Sequence, residues 1–217
     1  MLENLKKDVV RIAKAADESG LCRHKSGNFS IRDKETGYIV VTPSAVARED
    51  LTYHDICVVD INANAIEIET NVRPTSELLL HLEAYKTRED INAVVHTHSH
   101  FATAFAVLSK EIPPIVYEAV SYGGKVPVAP YGRPGTRKLA ESVIEPLKVS
   151  NACLLENHGV VTIANDIDTA LLNANYVEEV AEVYYRTLLI NNGKEPKPLS
   201  SEELQKWAYP SEIKLNK

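Results

Sequence analysis

The sequence predicts an α/β fold in which a largely antiparallel sheet is covered by helices on both faces. Three observations support this prediction. Apolar runs of strand length occur in pairs joined by short polar connections, which is typical of β-hairpins. Amphipathic helical segments flank these pairs along the chain. No linker and no shift in composition divides the 217 residues, so we expect a single domain over residues 1–217, with a polar tail from about residue 192.

The N-terminal segment predicts an amphipathic helix. Its apolar residues between positions 2 and 16 fall on one helical face, and Gly20 supplies a stop signal. Two hairpins are expected to follow. Their strands are predicted at 29–32 and 38–42, and at 56–60 and 65–69.

The next helix is predicted over residues 76–87, with Thr75 or Ser76 as its N-cap. Glu77 would then lie in the first turn. An apolar run after this helix predicts a buried strand that ends near His98.

The remaining elements follow from shorter patterns. Short strands are expected around Val116 and Val128. The later elements are a helix over 136–148, a hairpin of strands 152–155 and 160–163 with His158 at its tip, and a long amphipathic helix over 168–191.

Composition excludes two classes of partner. The formal net charge is −6 and no basic run occurs, which argues against nucleic acid because phosphate neutralisation needs clustered Lys and Arg. No stretch approaches the roughly 18 apolar residues of a membrane span, and the N-terminus does not resemble a signal peptide. We therefore expect a cytoplasmic protein. Its three cysteines are widely spaced and predict reduced core residues.

The histidines predict a metal site. His96 and His98 lie two positions apart on one strand, so both imidazoles project from the same face. His158 stands at a glycine turn where core packing has no need of it, and Glu77 is a candidate fourth group. Three imidazoles with one open position are typical of catalytic zinc, whereas structural zinc sites are closed by four protein ligands.

Alternatives to this set remain open at the level of the sequence. Glu77 is also the kind of residue that helix first turns favour, because a carboxylate complements the helix dipole. His81 and His100 compete with His158 as third ligand, although His81 lies one turn after Glu77 and is better suited to support a ligand. The remaining histidines occur in polar loops, where surface exposure is expected, and they are His24 and His54.

A second group of residues is typical of an anion site. Small hydroxyl and amide side chains occur at strand ends and at a helix start, where backbone N–H groups and the helix dipole can bind phosphate oxygens. The segments are 26–30, 42–45 and 74–76. Each alone is an ordinary turn or cap sequence.

Taken together, the motifs resemble the class II aldolase/epimerase family over roughly residues 5–190. The similar segments are Ser-Gly-Asn-Phe-Ser at 26–30, Thr-Pro-Ser-Ala at 42–45, Pro-Thr-Ser-Glu at 74–77, His-Thr-His-Ser at 96–99, Ala-Pro-Tyr at 129–131 and Asn-His-Gly at 157–159. The resemblance implies a three-layer α/β/α sandwich with a central, mostly antiparallel mixed sheet. It also implies a C4 homotetramer with one Zn²⁺ per chain, at sites on the subunit interfaces.

The resemblance also implies roles for individual residues. His96, His98 and His158 would be the zinc ligands, and Glu77 would be the catalytic acid/base and a further ligand when substrate is absent. Tyr117 would serve the aldehyde oxygen from a neighbouring subunit. The phosphate-binding positions would be Gly27, Asn28, Ser44, Ala45, Thr75 and Ser76.

The function implied is that of a lyase in carbohydrate metabolism, namely a zinc-dependent aldolase that cleaves a ketose 1-phosphate to dihydroxyacetone phosphate and an aldehyde. L-fuculose 1-phosphate is the expected sugar phosphate, and Glu rather than Asp at position 77 favours cleavage over epimerisation. The alternatives are L-ribulose-5-phosphate 4-epimerase, a methylthioribulose-1-phosphate aldolase or dehydratase, and a non-catalytic assembly domain like the adducin head.

Several positions depart from the family pattern or stay open. Ala45 replaces a common glycine and Phe29 a common valine, in the loops expected to bind phosphate. Glu118 is an alternative acid/base. The tail aromatics, Trp207 and Tyr209, loosely resemble aromatic residues that cover the site in this family.

Overall fold

The computed structural model describes residues 1–206 of the chain. Its strands are β1 (Asn28–Arg32), β2 (Ile39–Val41), β3 (Cys57–Val59), β4 (Ala65–Glu67), β5 (Ala93–Thr97), β6 (Val128–Ala129), β7 (Ala152–Leu155) and β8 (Gly159–Ala164). Its helices are α1 (Glu3–Glu18), α2 (Leu78–Thr87), α3 (His100–Val107), α4 (Arg137–Ser142), α5 (Ile144–Val149), α6 (Ile167–Ile190) and α7 (Ser201–Gln205), with a 3₁₀ helix at Tyr117–Val120. Trp207 and Tyr209 lie outside the described residues.

The strands form one eight-stranded sheet in the order β4-β3-β2-β1-β5-β8-β7-β6. Every neighbouring pair is antiparallel except β6 and β7, which are parallel. The three predicted hairpins are confirmed. Strand β5 lies between β1 and β8 and is buried along its whole length, so it carries His96 into the middle of the molecule.

Helices cover both faces of this sheet, as the predicted α/β/α sandwich requires. Helices α1, α3 and α6 pack on one face, and α2, α4 and α5 pack on the other. Alternate residues of β5 contribute to the two layers: Val95 packs on the α1 side and Val94 on the α2 side. His96 has the parity of Val94 and therefore faces the layer of α2.

The predicted helix over 136–148 is wrong in its continuity. The chain forms α4 and α5 instead, with a break at Val143. Pro146 explains the break. It has no N–H to donate to the carbonyl of Ser142, and its ring would collide with that carbonyl in a continuous helix.

Two further differences concern the segment after β5. Val116 does not form a strand but precedes the 3₁₀ helix, and the local pairing is an isolated bridge between Ile112 and Val126. Helix α3 was not predicted, because its short sequence is mostly apolar and shows no amphipathic period. The first N–H groups of α3 find their acceptor far along the sequence: the Glu178 carboxylate of α6 accepts hydrogen bonds from Phe101 N and Ala102 N at 2.9 Å.

Within residues 1–206, no helix combines the length and the apolar character that crossing a bilayer demands. The three cysteines are buried and unpaired, as expected of core residues.

Candidate active site

His96 and His98 lie at the end of β5, with ring centroids 4.9 Å apart. The His96 side chain is fully buried, and its Nδ1 lies 2.8 Å from the carbonyl oxygen of Val160 on β8. That carbonyl can only accept, so Nδ1 donates and the other ring nitrogen, Nε2, faces the site. His98 Nε2 lies 3.1 Å from His96 Nε2, as the alternation of side chains along a strand predicts.

His158 reaches the same place from the turn between β7 and β8. Its ring centroid lies 4.8 Å from that of His96 and 5.0 Å from that of His98. The next residue, Gly159, allows this approach. A Cβ at position 159 would lie 2.3 Å from the carbonyl oxygen of Thr97 and 3.3 Å from both His96 Cε1 and His98 Cδ2. A side chain at this position would therefore push the turn away from β5.

Glu77 completes the group from the start of α2. It is the N-cap residue rather than a member of the first turn, and its carboxylate makes no capping hydrogen bond. The predicted helix start at position 76, with Thr75 or Ser76 as N-cap, is therefore wrong. The carboxylate points instead into the molecule, with Oε2 3.1 Å from His96 Nε2 and Oε1 3.4 Å from His158 Nε2.

The four side chains have the composition and spacing of a metal site. One ligand atom from each of Glu77, His96, His98 and His158 lies within 4.8 Å of the others. Among residues 1–206, no hydrogen-bond donor satisfies Glu77 Oε1, which is a buried carboxylate oxygen. A cation between the four groups would compensate this oxygen and the converging imidazole nitrogens, so the residues present fit a divalent metal of the zinc type.

The protonation states suit such a metal. Burial and the neighbouring His96 lower the pKa of His98 and of His158 to about 4, so both are neutral at pH 7. Burial alone would raise the pKa of Glu77. The adjacent His96 and His158 and the Asn28 amide outweigh burial and hold that pKa well below its usual range. Burial alone would lower the pKa of His96, but the adjacent Glu77 carboxylate and the Val160 carbonyl outweigh burial and raise it. The site therefore offers an ionised carboxylate and, at His98 and His158, neutral imidazoles, which are the forms that bind metals.

The other predicted histidines lie elsewhere. His81 is fully buried in α2 and contacts Asn28, so it supports the cluster without belonging to it. His100 is the exposed first residue of α3. The two loop histidines, His24 and His54, are exposed as expected.

The structure brings the three anion-site segments next to one another. Ser44 N donates to the carbonyl oxygen of Arg73 at 2.8 Å, and Thr75 N donates to that of Thr42 at 3.0 Å. The buried guanidinium of Arg48 donates from Nη2 to the carbonyl oxygens of Ser26, at 2.9 Å, and Gly27. The segments around 26–28, 42–45 and 74–76 therefore form one surface, which we call the anion surface.

Side chains within the anion surface differ in exposure. Ser44 and Ser76 are exposed, and Ala45 adopts the left-handed backbone conformation with φ 64°. Asn28 is buried, and its amide donates from Nδ2 to Glu77 Oε2 at 2.9 Å. Asn28 thus connects the anion surface to the four-residue cluster, and sequence analysis missed this connection.

Tyr117 and Glu118 lie on the 3₁₀ helix and are exposed. The Tyr117 hydroxyl donates to Glu203 Oε1 of α7 at 2.8 Å. In the part of the chain that the structure describes, neither residue belongs to the four-residue cluster.

Comparisons with known proteins agree with this geometry. Residues 7–185 match the family described as Class II Aldolase and Adducin N-terminal domain. A 5-deoxy-D-ribulose 1-phosphate aldolase of Bacillus thuringiensis serovar kurstaki is 36% identical over 208 residues, covering 96% of this chain and 95% of the relative. The L-fuculose phosphate aldolase of Escherichia coli K12 is 37% identical, covering 85% of this chain and 82% of the relative. A solved structure of an L-fuculose 1-phosphate aldolase superposes with a TM-score of 0.87 at 34% identity, covering 93% of each chain.

Proposed function

The chain belongs to the class II aldolase and adducin N-terminal domain family. From this premise we propose that it is a metal-dependent aldolase that cleaves a ketose 1-phosphate into dihydroxyacetone phosphate and an aldehyde. The observation that carries the proposal is the buried cluster of Glu77, His96, His98 and His158. A purely structural assembly domain has no need of this set, and relatives that resemble most of the chain are named as aldolases.

We propose Zn²⁺ as the metal, with one ion per chain held by His96, His98 and His158. Three imidazoles leave a coordination position for substrate, and neutral nitrogen ligands suit zinc. A divalent cation held there supplies Lewis-acid stabilisation, worth several kcal/mol, for the negative charge that develops when the carbon–carbon bond breaks. A Schiff-base lysine is then not required.

Glu77 is the proposed acid/base. It is ionised in the substrate-free site because His96 and His158 lower its pKa against the effect of burial. It therefore enters the cycle as a base, takes a proton from a substrate hydroxyl and returns it to the carbon atom released by cleavage. Proton transfer of this kind contributes roughly 10²–10⁴-fold to the rate.

Tyr117 is the proposed partner of the aldehyde oxygen, reaching the site of a neighbouring subunit in a C4 homotetramer. Its exposure in a single chain supports a role at an interface. Tetramers assembled from inactive Tyr117→Phe chains and inactive Glu77→Gln chains test this role. Some interfaces would pair an intact Tyr117 with an intact Glu77, so partial activity should return. Mixed tetramers, verified by mass, that remain inactive would place both residues in one chain.

The anion surface is the proposed site for the substrate phosphate, with Gly27, Asn28, Ser44, Ala45, Thr75 and Ser76 as its binding positions. The exposed hydroxyls of Ser44 and Ser76 can donate to phosphate oxygens, and the start of α2 adds partial positive charge. A phosphorylated substrate does not cross membranes, which supports action in the cytoplasm.

Two sugar phosphates are the leading substrates, and they differ in the aldehyde that they release. L-fuculose 1-phosphate yields lactaldehyde, and 5-deoxy-D-ribulose 1-phosphate yields acetaldehyde. The second is favoured by the relative that covers 96% of this chain.

The test is a panel of ketose phosphates assayed for dihydroxyacetone phosphate with metal-loaded and chelated enzyme. Release that chelation abolishes is expected with at least one ketose 1-phosphate. Interconversion of pentulose 5-phosphates without release would indicate the epimerase instead. Loss of water from the substrate without release would indicate a dehydratase.

A further inference from the structure

Behind Glu77, four buried polar side chains form a continuous line of hydrogen bonds. Asn28 Oδ1 lies 2.6 Å from His81 Nε2. His81 Nδ1 lies 2.7 Å from Ser30 Oγ, which lies 2.8 Å from the hydroxyl of Tyr85. All four side chains are nearly or fully buried, so each polar atom depends on its neighbour in the line. We call this line the Asn28–Tyr85 chain.

The Asn28–Tyr85 chain arises because the residue spacing along a strand matches the residue spacing along a helix. Asn28 and Ser30 are two residues apart on β1 and point to the same face, which spans about 6.6 Å. His81 and Tyr85 are four residues apart on α2 and span about 6 Å along the helix axis. Glu77 precedes His81 by the same four residues. Strand and helix therefore present their polar groups in register, and this register places Asn28 against the Glu77 carboxylate.

The ionised carboxylate fixes the direction of every hydrogen bond in the chain. Glu77 Oε2 can only accept, so Asn28 donates from Nδ2 and its Oδ1 must accept from His81 Nε2–H. Burial lowers the pKa of His81 to about 3, so the ring carries one proton and Nδ1 accepts from Ser30. Ser30 then accepts from Tyr85, whose pKa burial raises. The opposite direction would place the Asn28 carbonyl against a carboxylate with no proton between them.

We propose that His81 is a positioning residue: its Nε2–H holds the Asn28 amide in the orientation that binds Glu77 Oε2 and leaves Oε1 directed at the reacting centre. This inference rests on the proposed acid/base role of Glu77. Loss of the Nε2 donor would let Asn28 rotate and present its carbonyl to Glu77. The carboxylate would then lose the donor at Oε2 and be displaced, so Oε1 would no longer be directed at the reacting centre.

Two substitutions of similar polarity separate this role from simple core filling. H81Q places an amide near the position of Nε2 and can still donate to Asn28. H81N reaches only the position of Nδ1 and can serve Ser30 but not Asn28. We expect H81N to lower kcat roughly 10–100-fold, as loss of a group that orients a ligand or reacting group commonly does. The KM and zinc content of H81N should change little. H81Q should keep most of the kcat of the unsubstituted enzyme.

Rescue by the longer amide supplies a readout that a structural role would not give. H81Q should keep a higher kcat than H81N even where the two variants have the same melting temperature. Equal losses of kcat in both variants, in proportion to their losses of thermal stability, would overturn the proposal.

A measurement without catalysis addresses the tautomer directly. In the metal-free protein, ¹⁵N histidine NMR should show His81 with a proton on Nε2 and none on Nδ1. A proton on Nδ1 would overturn the proposal even if neither variant folds. If the enzyme cleaves no ketose phosphate while His81 shows the expected tautomer, the proposed function fails and the hydrogen-bonded chain stands as an element of the fold.

Discussion

The cluster of Glu77, His96, His98 and His158 and the anion surface are the two ends of one candidate site, and they are built differently. The cluster uses side chains at the ends of regular elements, and His96 and Glu77 are 0% and 6% exposed. The anion surface uses connecting segments joined by backbone hydrogen bonds, and it includes the exposed Ser44 and Ser76 and the left-handed Ala45.

This difference predicts how each end responds to change. The cluster has only three histidines to hold a metal, so loss of one of them leaves too few ligands for tight binding. On the anion surface the proposed phosphate contacts would be shared among many donors, so loss of one hydroxyl should weaken binding and leave the chemical step intact. Substitutions of the metal-site residues should abolish or strongly reduce activity, and substitutions on the anion surface should raise KM.

The largest effect is expected from His158→Ala. Two histidines remain, so the zinc content of the purified protein should fall from about one per chain to a small fraction, and activity should be lost. Metal analysis by mass spectrometry checks this. His100→Ala is the matched control, because it removes an exposed imidazole close in sequence to the cluster. Full zinc content in His158→Ala would contradict the proposed ligand set.

The second effect concerns Glu77→Gln. The amide keeps the shape of the side chain and can still accept from Asn28, but it cannot carry a proton. Turnover should therefore fall by roughly 10²-fold or more, with zinc retained by the three histidines. Glu118→Gln is the control, since it removes an exposed carboxylate outside the cluster. If Glu118→Gln is the inactive variant instead, Glu118 is the acid/base.

The two ends also differ in how far the sequence could predict them. The cluster was accessible because its signals are local. His96 and His98 are two residues apart on a strand and therefore share a face, and the Asn-His-Gly turn places His158 at a hairpin tip. What the sequence could not reveal was distant pairing. Asn28 joins Glu77 because β1 pairs with β5 beside α2, a fact of topology.

The errors have two origins, one distant and one local. Helix α3 begins where Glu178, far along the chain, accepts from its first N–H groups. The helix period around Pro146 looked continuous, although the proline itself marked the break. Local patterns thus predicted most of the elements and the four residues that the structure brings together, Glu77, His96, His98 and His158. Groups that depend on contacts between distant segments required the structure.

A smaller effect is expected from Ser76→Ala on the anion surface. The substitution removes an exposed hydroxyl, so the bound phosphate would lose a charge-assisted hydrogen bond worth about 1.5–3 kcal/mol. KM should therefore rise roughly tenfold or more with kcat nearly unchanged, and inhibition by inorganic phosphate should weaken in parallel. Steady-state kinetics measure both values. A fall in kcat at constant KM would mean that Ser76 acts in the chemical step.

The smallest effect is expected from Ala45→Gly, which tests the backbone of the anion surface. Ala45 has φ 64°, a conformation that costs an L-residue about 1–2 kcal/mol. Glycine removes this cost but gains roughly 0.4–1 kcal/mol of entropy in the unfolded chain. The net stabilisation is about 0.8 kcal/mol, and the melting temperature should rise by about 2–3 °C. Ala47→Gly is the matched control, because Ala47 is not among the positive-φ residues and pays only the entropic cost, so its melting temperature should fall. Equal falls in the two variants would show that position 45 carries no strain.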